Sequence, residues 1–182
     1  MCKFRIRLLI LIAVLISFTA CSKNYMVGDN CPAGGIVFFD KGVKQDGWRY
    51  LSVAPADTEF DAVWSNFHSE IEGTSTGIGT GKQNTQLLNN VFNQQGETRT
   101  AAQLCLSLKV GKYSDWFLPS KDELEQMYIS LRQKGLGSFS DEWYWSSSQD
   151  SDDYAWLHSF KDGIQYNYYK DNTIKVRAVR AF

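Results

Sequence analysis

The segment that most constrains the fold is residues 115–128, where a short apolar run leads directly into the start of a helix. Residues 116–118 have strand character, and Pro119 ends the run because it cannot donate to a β-ladder. Ser120 and Glu123 have the spacing of a reciprocal capping box, which predicts a helix beginning here. An apolar stripe at helical spacing follows, made by Leu124, Met127, Tyr128 and Leu131. We expect the stripe and the tryptophan of this segment to be buried and to serve architecture rather than chemistry.

The first twenty residues have the composition of an export signal. Basic residues at positions 3, 5 and 7 precede an apolar run over residues 8–18, which is shorter than the roughly 20 residues of a membrane-spanning helix. The sequence Phe18-Thr19-Ala20-Cys21 resembles a bacterial lipobox, which predicts that Cys21 is lipidated and becomes the N-terminus. The alternative is an ordinary signal peptide cleaved near Ala20, which leaves a free secreted protein.

The lipobox divides the chain into a signal peptide (1–20), a lipidated tether (21–30) and one domain (31–182). Several acyl chains on one cysteine give stable membrane anchoring. Ser22 is not an aspartate-type retention signal for the inner membrane, so we expect the outer membrane or the cell surface. Without residues 1–20 the chain has 16 basic and 20 acidic residues, a net charge of about −4 that argues against a nucleic-acid partner.

A glycine-rich segment at residues 77–82 has the composition of a phosphate-binding loop but not its spacing. Thr76 stands where a Walker loop needs its first glycine, and Gln83 stands where it needs serine or threonine. We therefore expect no nucleotide, and interpret the glycines as a tight backbone path into the next helix.

Two cysteines remain in the domain, Cys31 and Cys105. Export to an oxidising compartment favours a disulfide between them. Cys105 also lies on an apolar stripe, which favours a buried free thiol. Both alternatives stay open. The histidines, His68 and His158, are far apart in sequence, and no Cys/His spacing indicates a zinc site.

The order of elements predicts an α+β fold with helices in the middle and strands at both ends. Strands at residues 36–39 and 48–54 form a hairpin, and a long loop over residues 55–82 contributes Trp64 and Phe67 to the core. We predict a helix capped by Asn84 or Thr85, a second over residues 100–110, and the third after Ser120. Four strands complete the chain, at residues 143–147, 154–160, 164–169 and 173–182. The first and last strands are expected to pair and close the domain.

Several motifs resemble the Lcl C-terminal domain, a bacterial extracytoplasmic family, and the related major paralogous domains of lipoproteins. They lie at residues 32–42, 47–51, 77–85, 115–120, 144–148, 155–156 and 176–182. The resemblance implies a C-type-lectin-like fold with paired N- and C-terminal strands. Its relatives include formylglycine-generating enzymes that act through cysteines, but Cys31 and Cys105 stand in unlike contexts, so that activity is not implied. Where a family role is known, it is adhesion to host polysaccharide or matrix.

The candidate ligand-binding segment is residues 141–160, which is rich in aromatic and acidic side chains. Its candidate residues are Trp143, Trp145, Tyr154, Trp156, Asp150, Asp152 and Asp153. Alternate strand residues face opposite ways, so Trp143 and Trp145 share one face, and one face is expected to be core. Aromatic side chains that remain exposed can stack on sugar rings or anchor a partner. The three aspartates are weak calcium candidates, because their order matches neither an EF-hand loop nor the calcium motifs of sugar-binding C-type lectins.

These observations favour a non-catalytic binding or adhesion module, held on the membrane by its lipid, for polysaccharide or an extracellular or envelope protein. The alternative is a structural envelope lipoprotein with no small-molecule ligand. An enzyme is the least favoured class, because no grouping of nucleophile and base has a recognisable local signature.

Overall fold

The computed structural model describes residues 23–182, so the predicted signal peptide and Cys21 lie outside the described residues. Three helices and eight strands occur in this range. The helices are α1 (Gly81–Gln94), α2 (Ala101–Ser107) and α3 (Lys121–Ser130). The strands are β1 (Ile36–Gln45), β2 (Trp48–Val53), β3 (Phe60–Ala62), β4 (Trp143–Gln149), β5 (Tyr154–Ser159), β6 (Gln165–Tyr169), β7 (Ile174–Val176) and β8 (Val179–Ala181). Single 3-10 turns lie at Ala56–Thr58 and Arg132–Lys134.

The strands form two sheets, which confirms the α+β fold class. The smaller sheet has the order β1-β2-β8, and the larger has the order β3-β7-β4-β5-β6. All pairs are antiparallel except β4 with β7. The C-terminal strand joins the N-terminal hairpin as expected, although its partner is β2, the second strand of the hairpin, rather than β1.

The single strand predicted over residues 173–182 is two strands, one in each sheet. The chain changes sheets around Arg177, whose guanidinium is buried and donates to the carbonyl oxygens of Ala54 and Gly137, both at 2.8 Å. Glu59 accepts a further bond from it at 3.0 Å. A buried cation needs such partners, so the crossing is fixed by this side chain.

The capping box of α3 is present in both directions. The Ser120 hydroxyl accepts from the Glu123 N–H, and the Glu123 carboxylate accepts from the Ser120 N–H at 2.8 Å. The same carboxylate accepts from the backbone N–H of Gly79 at 2.8 Å, so the glycine-rich segment docks on the start of α3. A Cβ on Gly81 would lie 2.8 Å from the backbone nitrogen of Ser120 and 2.9 Å from the carbonyl oxygen of Leu118, which explains why glycine is needed there.

Residues 116–118 are buried as predicted but do not form a strand. Phe117 makes one isolated bridge to Val179, while the N–H of Leu118 donates to the Thr85 hydroxyl at 3.0 Å instead of to a neighbouring strand. Trp116 is fully buried, as expected.

Helix α1 begins earlier than predicted, so Asn84 and Thr85 lie inside it rather than at its cap. Both are buried, and Asn84 donates to the carbonyl oxygen of Ser75 at 2.6 Å. Trp64 enters the core as predicted, but Phe67 does not, since 46% of it is exposed. The long loop also contains β3. This strand has only three residues, too few for a periodic pattern to reveal it.

Candidate functional site

The two faces of the larger sheet have different surroundings. One face, the helix face, includes Tyr144, Trp156 and His158 and is packed against α3. The rings of His158 and Tyr128 are 5.1 Å apart, and Lys121 Nζ lies 3.3 Å from the centre of the Trp156 ring. The other face, the open face, includes Trp143, Trp145, Leu157, Tyr166 and Tyr168. The register sets this division, because Leu157 lies opposite both Trp145 and Tyr166 in the sheet.

An aromatic cleft lies on the open face and is the candidate site. It has a volume of about 330 Å³ and is lined by Trp143, Leu157, Tyr166, Tyr168 and Ile174. The rings of Trp143 and Tyr166 are 6.4 Å apart and inclined at 56°, so they form an angled wall rather than a stack. Tyr166 is 56% exposed and Tyr168 is 40% exposed, which leaves both rings accessible from solvent.

The cleft continues into a polar groove of about 270 Å³ that shares Trp143 and Ile174 with it. Glu142, Asp61, Thr173 and Lys175 line this extension. Within residues 23–182, the side chains of Glu142 and Thr173 and the hydroxyls of Tyr166 and Tyr168 make no hydrogen bond. The site therefore combines apolar ring faces with uncommitted donors and acceptors at its edge.

Trp145 is not available to a ligand, which corrects its place among the candidates. It is fully buried, and its indole N–H donates to the carbonyl oxygen of Ala62 at 3.1 Å. It packs in the larger of the two hydrophobic cores together with Trp64, Leu88 and Phe92. Trp143 shares its face but stands at the beginning of β4, where the core ends, and is only half-buried.

Trp156 and Tyr154 are on the helix face and so lie on the other side of the sheet from the aromatic cleft. Lys121 covers the ring of Trp156. The ring of Tyr154 is 4.6 Å from that of Tyr169, and the Tyr169 hydroxyl raises the pKa of Tyr154 to about 12. The sequence candidates are thus divided between two surfaces, and only Trp143 reaches the cleft.

The acidic segment does not assemble into a metal site. Asp150 accepts from the Asn167 amide at 2.6 Å, Asp153 contacts His68 at 2.7 Å, and Asp152 accepts from the Asp153 N–H. In the range that the structure covers, residues 23–182, no group of three or more His, Cys, Asp or Glu side chains could hold a metal ion. The three aspartates are therefore spread over separate contacts.

A buried lysine organises the loop that carries these aspartates. Lys170 Nζ donates to the carbonyl oxygens of Asp152 at 2.6 Å and Ser69 at 2.9 Å, and to Gln149 Oε1 at 3.0 Å. Three acceptors match the three protons of an ammonium group. Burial lowers the pKa of Lys170 to about 8, although the nearby acidic groups Asp152 and Asp153 oppose this shift.

Cys31 and Cys105 are both buried and both free, so the candidate disulfide is not formed and the buried-thiol alternative describes them. They belong to the larger core, and burial raises the pKa of the Cys105 thiol far above its usual range. A thiol that remains protonated is a poor nucleophile.

Sequence reasoning missed Tyr166 and Tyr168. Strand β6 was predicted, but its residues were not considered as ligands. A usable signal was present, because Asp162-Gly163 defines a hairpin and thereby places Tyr166 and Tyr168 on the same side as Leu157. That register, combined with alternation along β4, would have grouped the two tyrosines with Trp143.

Comparison with known proteins gives a family match over most of the domain. Residues 55–180, more than half of the chain, match the Lcl C-terminal domain family. No curated protein matches the chain. The solved structure of a fimbrial protein from Bacteroides ovatus ATCC 8483 has a similar fold, with a TM-score of 0.55 at 13% sequence identity. The match covers 74% of this chain and 36% of that one, so the chain spans about a third of the fimbrial protein.

Proposed function

The chain belongs to the Lcl C-terminal domain family, and on that premise we propose that it is a lipid-anchored, non-catalytic module of the bacterial surface that binds carbohydrate through the aromatic cleft. The observation that carries the proposal is the grouping of Trp143, Tyr166 and Tyr168 around an open volume of about 330 Å³. Pockets that bind small ligands have volumes of roughly 300 to 1,000 Å³, so one sugar unit is a suitable occupant.

The chemistry of the cleft favours a sugar over a purely apolar ligand. A pyranose ring has an apolar C–H face, which packs on aromatic rings, and a rim of hydroxyl groups that both donate and accept. The rings of Trp143, Tyr166 and Tyr168 suit the first requirement, and the free groups of Glu142 and Thr173 in the adjoining groove suit the second.

The surroundings of the nucleophilic side chains support a non-catalytic role. The thiols of Cys31 and Cys105 are buried, and burial also lowers the pKa of His158. None of the three lines the aromatic cleft. The groups that line the cleft therefore fit a role in binding rather than in catalysis.

The anchor and the surface location rest on the lipobox at Cys21 and on the family. None of the helices within residues 23–182 has both the length and the hydropathy of a membrane span. The fold shared with a fimbrial protein supports a place at the cell surface. Partition of the wild-type protein into the detergent phase, and its loss in the Cys21→Ala variant, tests the anchor independently of the cleft.

Glycan binding is tested by comparing two tryptophans on opposite faces of the same sheet. We expect the wild-type domain to bind a subset of an array of bacterial and host polysaccharides. The Trp143→Ala and Tyr166→Ala variants should bind these at least about tenfold more weakly, a loss of about 1.4 kcal/mol. Because Tyr166 is largely exposed, its removal should not affect folding, so lost binding in that variant cannot be attributed to unfolding.

The matched control is Trp156→Ala, which removes an indole of the helix face and should leave glycan binding unchanged. Equal losses in the Trp143 and Trp156 variants would contradict assignment of the site to the cleft. A wild-type domain that binds no glycan but can be cross-linked to an envelope protein would instead support the structural lipoprotein alternative.

A further inference from the structure

The described chain begins on a surface rich in aromatic and basic side chains. The rings of Tyr25, Tyr50 and Phe182 lie 5.4 Å from one another, and the Tyr25 N–H donates to the Tyr50 hydroxyl at 3.2 Å. A cleft of about 400 Å³ adjoins them and is also lined by Lys23, Lys44 and other residues. Residues 23–25 therefore lie against the smaller sheet instead of extending away from it.

Cations surround these rings. Lys23 Nζ is 4.9 Å from the centre of the Tyr25 ring, and Arg49 is 4.8 Å from that of Tyr50. Arg180 is 5.3 Å from the ring of Phe182 and 4.5 Å from that of Tyr113, and Lys112 is 5.5 Å from the Tyr113 ring. We call this the basic aromatic surface and define it by Lys23, Tyr25, Lys44, Tyr50, Lys112 and Phe182.

The basic aromatic surface has an excess of positive charge. Asp40 pairs with Arg49 at 2.8 Å and Asp115 pairs with Arg180 at 2.6 Å, so both arginines are balanced. Lys23, Lys44 and Lys112 are exposed and form no ion pair with any residue in 23–182. Three uncompensated cations on one surface contrast with a net charge of about −4 for the chain after residue 20. Such segregation of charge favours an anionic partner.

The position of this surface in the chain indicates which anionic partner. Lys23 is two residues after Cys21, and a residue spans at most about 3.6 Å, so Lys23 lies within roughly 7 Å of the predicted anchor. This distance is comparable with the thickness of one headgroup layer of a bilayer, about 5 to 8 Å. Two exposed apolar residues adjoin this surface in sequence. Met26, which is 73% exposed, follows Tyr25, and Val43, which is 63% exposed, precedes Lys44.

We propose that the basic aromatic surface lies flat on the membrane that holds the lipid anchor and binds the phosphate groups of anionic phospholipids. Tyrosine rings prefer the interface between headgroups and hydrocarbon, and lysines next to a bilayer are attracted to its negative surface. The proposal rests on the anchor of the proposed function for its geometry. The attraction between its lysines and anionic phospholipids is tested on a chain that lacks the anchor.

The first experiment uses the chain from Ser22 onward as a soluble protein, because all three helices and both sheets lie within residues 23–182. Co-sedimentation with vesicles of 30% phosphatidylglycerol in phosphatidylethanolamine is compared with vesicles of phosphatidylcholine. Binding should favour the anionic vesicles and weaken as salt is raised. Removing a lysine from the surface should weaken binding about fivefold, so the variant with Lys23, Lys44 and Lys112 all changed to Gln should lose about a hundredfold.

The matched control changes Lys134, in the 3-10 turn that follows α3, and Lys161, in the β5–β6 turn, to Gln and should retain wild-type binding. Equal binding to both kinds of vesicle, or no effect of the triple variant, would overturn the proposal. So would binding to the soluble polyanion polyglutamate with none to anionic vesicles, because that result assigns the surface to a polymer.

The second experiment uses the full lipidated chain in the same anionic vesicles and measures acetylation of each lysine by mass spectrometry. Lys23, Lys44 and Lys112 should be protected relative to Lys134 and Lys161. Uniform reactivity of anchored protein would contradict the orientation. If the chain proves not to be lipidated at Cys21 but still shows the charge-dependent binding, the proposed anchor is wrong and the proposed phospholipid-binding surface stands.

Discussion

The two faces of the larger sheet have similar aromatic content but differ in what covers the aromatic rings. On the helix face, α3 covers His158 with Tyr128 and Trp156 with Lys121. On the open face the core covers Trp145 but ends before Trp143, Tyr166 and Tyr168. Aromatic composition therefore does not identify a binding surface. What decides is whether another element of the same chain already occupies the ring faces.

The largest difference between neighbours should appear in stability. Trp145→Ala removes a fully buried side chain and its bond to Ala62, and should lower the free energy of unfolding by about 3 to 5 kcal/mol. Trp143→Ala, two residues away on the same face, should lower it by less because its ring is partly exposed. Urea denaturation of both variants measures the difference. Equal losses would mean that the cleft is part of the core.

The next effect concerns the carboxylate that fixes α3 above the helix face. Burial raises the pKa of Glu123 to about 7, although the N–H groups of Ser120, Gly79 and Gly81 favour its charged form. Between about pH 4.5 and pH 7 the folded protein therefore retains a proton that the unfolded chain releases. Its contribution to the free energy of unfolding is largest below pH 4.5 and falls by roughly 3 kcal/mol as the pH rises to 7.

Glu123→Gln removes this titration. The difference in unfolding free energy between wild type and variant should therefore change across pH 4.5 to 7. A pH-independent difference for Glu123 would show that the three N–H donors outweigh burial.

The smallest effect concerns the cover of Trp156. Lys121→Ala removes the ammonium group 3.3 Å from the ring centre and should cost about 0.5 to 1 kcal/mol, measured by thermal melting. We expect no new glycan binding, because the ring still lacks the adjoining walls and polar groove that Trp143 has. If the Lys121→Ala variant gained glycan binding, a single accessible indole would be sufficient to bind a glycan. The aromatic cleft would then not be required.

The sequence predicted local structure well where a short pattern carries its own physical cause. The capping box of Ser120 and Glu123, the hairpin of the first two strands, and the burial of Trp116 were all correct for this reason. Features fixed by distant partners were not predictable. The start of α1 depends on contacts of Asn84 and Thr85 with other segments, and the break between β7 and β8 depends on Arg177 reaching Ala54 and Gly137.

The candidate site was predicted only in part for the same reason. Alternation along β4 correctly placed Trp143 and Trp145 on one face, but it gives no information about where the core ends along that face. The cleft also needs Tyr166 and Tyr168 from β6 and Ile174 from β7, which come together only through the order of strands in the sheet. Trp156 could not be separated from Trp143 without the position of α3.

Lys170 has a further consequence for how the acidic loop behaves in different media. Its ammonium group supplies a positive charge among three oxygen acceptors, and because it belongs to the chain it cannot be diluted or removed by a chelator. The order of the loop should therefore depend on proton concentration. The charge is lost as the pH rises through the Lys170 pKa of about 8, so we expect this loop to loosen in alkaline medium.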